Sequence, residues 1–191
     1  MKLSQNFYTR KDVVRIAKEL LGKVLFTRIN GVITGGIITE TEAYAGVADR
    51  ASHAYNNRRT ERTEVMYSHG GRAYVYLCYG IHHLFNVVTN QKDIPHAVLV
   101  RAIKPLEGIK TILKRRKKKM LSTTICGGPG TVSNGLGIKT AHTGISLIEK
   151  TIWIEDRGIK IKEKDIIKNP RIGVDYAGVD ALLPYRFTVN I

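Results

Sequence analysis

Acid is what this sequence lacks most relative to its opposite. Asp and Glu total 16 against 31 Lys and Arg, a formal charge of +15. A chain so basic is suited to a polyanion, and nucleic acid is the leading partner. An anionic membrane surface would also answer the charge, but no apolar run approaches spanning length and no lipidation signal is visible. The N-terminus, MKLSQNFYTRKD, is too polar for a signal peptide. Cysteine is limited to Cys78 and Cys126, far apart and outside any CxxC motif. That argues against a disulfide scaffold and reads as two reduced thiols in a cytosolic protein. Metal-ligand spacing is missing as well. His82 and His83 are adjacent and cannot share a strand face, and no carboxylate or cysteine neighbour completes a set. The cluster CGGPG lacks the Lys-Ser/Thr that follows a phosphate-binding loop and reads as a turn before a helix. No internal repeat and no Ser/Pro-rich linker divides the chain, so residues 1–191 are expected to form one domain without a cofactor.

What is present alternates between helical and extended patterns. Thr9, with Asp12 three residues on, predicts the cap of a helix whose apolar positions are Val13, Ile16, Ala17, Leu20 and Leu21, ending at Gly22. KVLFTRI and VITGGIITETEAY flank Asn30-Gly31, a hairpin signal, with Gly35-Gly36 marking a bulge or bend in the second arm. RAYVYLCYGIHHLFNVVT predicts a second hairpin around Tyr79-Gly80, and PHAVLVRAI a further strand. A helix is expected from about Glu107 through GIKTILKRRKKKM, a short one up to Gly137, and strands in TGISLIEKTIWIEDRGIKIK. Sequential short strands of this kind favour an α+β chain with a largely antiparallel sheet.

One strand carries unusual chemistry. On a two-residue period, Ile38, Glu40, Glu42 and Tyr44 would share a face, with Ile37, Thr39, Thr41 and Ala43 on the other. Glutamates on an arbitrary strand are mostly solvated. Here they sit in an apolar run of a basic chain and are followed by Tyr44 and His53. A carboxylate in a partly desolvated aromatic pocket can act as a general base or stabilise a cationic transition state. Both jobs suit cleavage of a bond to a sugar, where an oxocarbenium-like state forms while water attacks C1′. Tyr74 and Tyr76 share a face of the second hairpin, as core stripe or as pocket wall. Tyr79, beside Gly80 and Ile81, lies at its tip, where an unburied aromatic resembles a wedge that replaces a base in a stack.

ETEAY, ASHAY, GRAYVYLCYG, HLFNVVT, VLVRAIKPLEG, NPRIGVDYAG and LPYRF occur in that order between Leu3 and Phe187. In this the chain resembles the alkyladenine (3-methyladenine, methylpurine) DNA glycosylase family. The resemblance implies a single mixed α/β domain with a curved, largely antiparallel sheet and a protruding hairpin that inserts into the minor groove. It implies a monofunctional enzyme of base-excision repair that flips alkylated or deaminated purines out of duplex DNA. The bases would be 3-methyladenine and 7-methylguanine, with hypoxanthine and ethenoadenine as further candidates, released by hydrolysis of the N-glycosidic bond. Carried over residue by residue, Glu42 is the water-activating base, Arg101 helps to place the water, and a backbone carbonyl in the segment Arg171-Ile172-Gly173, assigned to Ile172, completes the water site. Tyr44, His53 and Tyr76 sandwich the flipped purine, and Asn86 crowds the exocyclic amine of normal guanine. Tyr79 enters the gap left by the base, with Ile81 beside it, and Glu40 is structural. The chain departs from the family pattern at Thr60-Glu61-Arg62-Thr63, where many relatives have Thr-Pro-Arg-Asn, and at Ile81.

Two other classes compete on the residues alone. A non-catalytic nucleic-acid module needs the charge and the tyrosines but not Glu42 or Arg101, and a glycosidase for free nucleosides or sugars does not need a charge of +15. The run Lys114 to Lys119 reads as a solvated face, with phosphate binding as the alternative. The expected partner is double-stranded DNA, met by a monomer. It would act in the cytoplasm, at the nucleoid, if bacterial and in the nucleus if eukaryotic.

Overall fold

The computed structural model describes residues 1–191, and its strands join one wholly antiparallel sheet. They are β1 (Val24–Ile29), β2 (Val32–Tyr44), β3 (Ala73–Cys78), β4 (His82–Thr89), β5 (His96–Glu107), β6 (Ile152–Glu155), β7 (Ile167–Asn169) and β8 (Arg186–Thr188). The spatial order is β3-β4-β5-β2-β1-β6, with β8 pairing to the far end of β2 and to β7. The Asn30-Gly31 turn works as expected. Both residues have positive φ, as a tight two-residue hairpin requires, and β1 and β2 pair in unbroken register from Val24↔Ile37 to Ile29↔Val32. The bend at Gly35-Gly36 shows only against β5, where the register shifts there and again around Thr39. Such bulges twist and curl a sheet.

Four α-helices accompany the sheet: α1 (Gln5–Tyr8), α2 (Val13–Leu20), α3 (Ile109–Arg115) and α4 (Pro129–Leu136). Val13, Ile16, Ala17 and Leu20 of α2 belong to the main core together with Ile38, Ala43, Val98, Val100, Phe85 and Val87 of the sheet. Ile112, Val132 and Leu136 extend that core under α3 and α4. Each valine, leucine, isoleucine or phenylalanine among them, fully buried, contributes about 1.5–3 kcal/mol.

Four sequence expectations are corrected. The cap of α2 is Asp12, whose carboxylate accepts the Arg15 N–H at 2.9 Å, because Thr9 is already used in closing α1. Helix α3 stops at Arg115. Arg115 turns inward to the Gly135 carbonyl (3.1 Å) and Arg116 to the Ile125 carbonyl (2.8 Å), and Lys117 has left the helix with φ +52°. In the C-terminal third only Ile152–Glu155 of the expected extended stretch is a strand. Gly158 turns the chain away, and Ile159 and Ile161 pack their side chains from a loop. Finally, Ile38 does not share a face with Glu40, Glu42 and Tyr44. It pairs with Ile103 while Glu40 pairs with the next β5 residue, Ala102, so the extra residue Thr39 reverses the alternation. Ile38 and Ala43 both lie in the main core, and Thr41 points the same way, its hydroxyl donating to the Ala17 carbonyl at 2.8 Å.

Candidate active site

The bulge at Thr39 therefore delivers Glu40, Glu42 and Tyr44 to the face of the sheet away from α2. Glu42 is fully buried there. Its Oε1 accepts the backbone N–H of Ile172 at 2.9 Å and lies 3.3 Å from Nη1 of Arg101, while the Tyr44 hydroxyl donates to Oε2 at 2.8 Å. Burial pushes the Glu42 pKa above the ordinary carboxylate value. The charge of Arg101, the Ile172 N–H and the Tyr44 hydroxyl oppose the rise without cancelling it. A carboxylate so held is ionisable, dry and a better proton acceptor than a solvated one. Glu40 plays a different part. Its Oε1 accepts from Arg101 Nε at 3.1 Å and from Arg186 Nη1 at 3.0 Å, which fixes the arginine in front of Glu42.

Glu42 stands in the wall of a cavity of about 410 Å³, within the range of small-ligand sites. Tyr44, His53, Tyr74, Tyr76, Asn86 and Arg101 share that wall. Strand alternation puts Tyr74 and Tyr76 on one face of β3, with ring centroids 5.5 Å apart, while Ala73 and Val75 enter the core. The His53 ring stands edge-on to Tyr76 at 4.6 Å, and its Nδ1 lies 2.8 Å from the Tyr74 hydroxyl. Burial, aided by the charges of Arg62 and Arg58, lowers the His53 pKa to about 4, so its imidazole is neutral at neutral pH. Burial likewise raises the pKa of Tyr44 and of Tyr76, which stay protonated donors. The Asn86 amide donates to the Tyr74 and Leu84 carbonyls at 3.2 and 3.3 Å, which pins it in the floor.

The β3–β4 tip carries Tyr79, 89% exposed, and Ile81, 71% exposed. Tyr79 lies at the pocket mouth with φ +50°, a backbone conformation that bulky side chains seldom adopt. The structure thus gathers every expected residue around one cavity except Ile81, which stands outside the lining. At Ile172 the group that reaches Glu42 is the N–H; the side chain is half exposed.

Sequence reasoning missed Asp49. It forms a buried, two-pronged ion pair with Arg171, 122 residues away, and nothing in the spacing of either residue signals it. It also missed Tyr176, an exposed aromatic in the pocket rim whose hydroxyl donates to the Ala51 carbonyl at 3.1 Å. No group of three or more His, Cys, Asp or Glu side chains could hold a metal ion, and no helix is long and apolar enough to cross a membrane.

The family model of methylpurine-DNA glycosylases (MPG) matches residues 6–191. A protein of Chlamydia felis is 48% identical over 193 residues, covering 99% of this chain and 96% of its own. One from Clostridium perfringens is 44% identical over 198 residues, covering 100% and 96%, and one from Clostridium acetobutylicum is 41% identical over 197, covering 100% and 95%. All three carry the provisional name 3-methyladenine DNA glycosylase. With a match over nearly its whole length and relatives this similar, the chain belongs to the methylpurine-DNA glycosylase family.

Proposed function

We propose that this protein excises alkylated purines, 3-methyladenine and 7-methylguanine first, from duplex DNA by hydrolysis of the N-glycosidic bond. The observation that carries the reading is Glu42, a buried carboxylate with a raised pKa, facing an aromatic cavity beside Arg101. The flipped base stacks among Tyr44, His53 and Tyr76, and Tyr79 occupies the gap it leaves in the helix. Glu42 accepts a proton from a water molecule as the water oxygen bonds to C1′. The C1′–N bond breaks, and its electron pair leaves with the base. A purine alkylated at N3 or N7 is cationic, so that pair neutralises it and no acid is needed. Its charge is also attracted to the ring faces by about 0.5 to 2 kcal/mol. Asn86, pinned in the floor, crowds the exocyclic amine of normal guanine. No lysine amine lines the cavity, which favours simple hydrolysis to an abasic site over Schiff-base lyase chemistry.

The test is release of free base from duplexes each carrying one lesion, set against the same nucleosides free in solution. Base freed from duplex but not from nucleoside supports the reading. Binding without release marks a non-catalytic module, and release from free nucleoside a glycosidase of another class.

A further inference from the structure

Neither member of the buried pair Asp49–Arg171 lines the cavity, yet most of its connections lead to Tyr44, Ala51 and Ile172, which do, or to their chain neighbours. The two terminal nitrogens of the Arg171 guanidinium meet the carboxylate oxygens of Asp49, with Nη2 to Oδ1 at 2.9 Å. Nη1 also donates to the Ala43 carbonyl at 2.9 Å and Nη2 to the Asp180 carbonyl at 3.0 Å. Asp49 in turn accepts the N–H of Ala45 at 2.9 Å and of Ala51 at 3.0 Å. The pair thereby grips the residues on either side of Tyr44, and the guanidinium lies over the Tyr44 ring at 4.9 Å. The residue after Arg171 is Ile172, whose N–H meets Glu42.

Resting on the glycosylase reading, we propose that the Asp49–Arg171 pair is a positioning device for base excision: it holds the Tyr44 hydroxyl and the Ile172 N–H against the Glu42 carboxylate. Stability alone is a poor reason for this pair. Two charges are taken out of water where apolar side chains of similar volume often serve as well or better. Arg171 Nε is, moreover, buried with no partner, a cost that packing does not return. What the charges provide is geometry: a planar fork whose four hydrogen bonds tie the end of β2, the loop toward His53 and the segment 171–172 into one body.

The groups that face Glu42 are Glu40 and Tyr44 from its own strand, Arg101 from β5, Tyr76 from β3, Arg186 opposite it on β8, and Arg171, the Ile172 N–H and Tyr176 from the C-terminal segment. Of the groups acting on Glu42, the Tyr44 hydroxyl and the Ile172 N–H both stabilise the ionised form. Loosening them makes Glu42 harder to ionise, and the acid limb of the pH–rate profile moves to higher pH.

Two variants test this. Arg171→Lys keeps the charge and loses the fork, and Asp49→Leu with Arg171→Met removes both charges together, leaving no buried ion alone. Single-turnover excision is followed across pH, and the Glu42 carboxyl is titrated by carbon NMR in the free protein. The expected result is a Glu42 titration and an acid limb both displaced upward, with about tenfold slower excision on that limb, the equivalent of one charge-assisted hydrogen bond removed. At alkaline pH the rate returns toward that of the unaltered protein. Unchanged titration and limb in the folded variants would overturn the proposal, as would loss of fold in both, which would make the pair a folding element only. The carboxyl titration needs no activity. If the unaltered protein released no base the glycosylase reading would fail, while the hold on Glu42 would still be read from the titration.

Discussion

Glu42→Gln separates chemistry from folding at this site more cleanly than any other change. The amide has the shape of the carboxylate, so its oxygen can still accept the Ile172 N–H, and its NH₂ can donate to the Tyr44 hydroxyl, which then turns from donor to acceptor. Arg101 is not stranded, because Glu40 remains 3.1 Å from its Nε. What disappears is the proton acceptor. A positioned general base is worth about 10²- to 10⁴-fold in rate, or roughly 3 to 5 kcal/mol of barrier. Single-turnover excision should fall by that factor while binding to the same lesion duplex is kept. Stability should move the other way. The folded pKa of Glu42 lies above its unfolded value, so ionising it costs the fold stability at neutral pH, and that cost is relieved as pH falls through the folded pKa. The Gln variant should therefore melt no lower than the parent near neutrality, and any advantage should vanish in acid. Excision within a few-fold of the parent would remove Glu42 from its role as base. A collapse in melting temperature with the rate would show that the two effects had not been separated.

Three further outcomes are expected. Tyr79→Ser should bind a well-paired lesion less tightly and flip it less completely, with a smaller defect when the lesion sits in a mismatch, where less unstacking energy has to be offset. Fluorescence of a base analogue beside the lesion follows this, and an unchanged flipping equilibrium would reassign the wedge to Ile81. His53 should titrate near about 4 by NMR, for the burial and the Arg62 and Arg58 charges around it; titration near the ordinary value would mean that the pocket is wet. Binding to undamaged duplex should weaken steeply with salt, and replacing Arg58 and Arg62 by Ala should reduce the log–log slope by about 0.9 for each phosphate no longer neutralised. An unchanged slope would place the phosphate-binding groups elsewhere, and the same measurement on Lys117, Lys118 and Lys119 tests the basic run.

Much of this protein was legible before any coordinate. Local rules sufficed wherever the determinant lay within a few residues: Asn30-Gly31 sets its hairpin through two positive φ angles, and the apolar period sets the buried face of α2. The two-residue period likewise predicts that Tyr74 and Tyr76 stand together. Where the determinant lay on another element, the same rules misled. Thr39 looks like one more β residue, and only pairing with β5 makes it the extra one that turns Ile38 away from Glu42. The basic run reads as helix until Arg115 and Arg116 find carbonyls at Gly135 and Ile125. The chain by itself determined the chemistry on offer: a carboxylate, an arginine, flat rings and an excess of positive charge. Tertiary structure alone decided that Glu42 is dry, that the Ile172 N–H reaches it, and that Asp49 and Arg171 meet. Burial and hydrogen bonding between residues more than a hundred positions apart depend on how the sheet closes, and no local pattern encodes that distance.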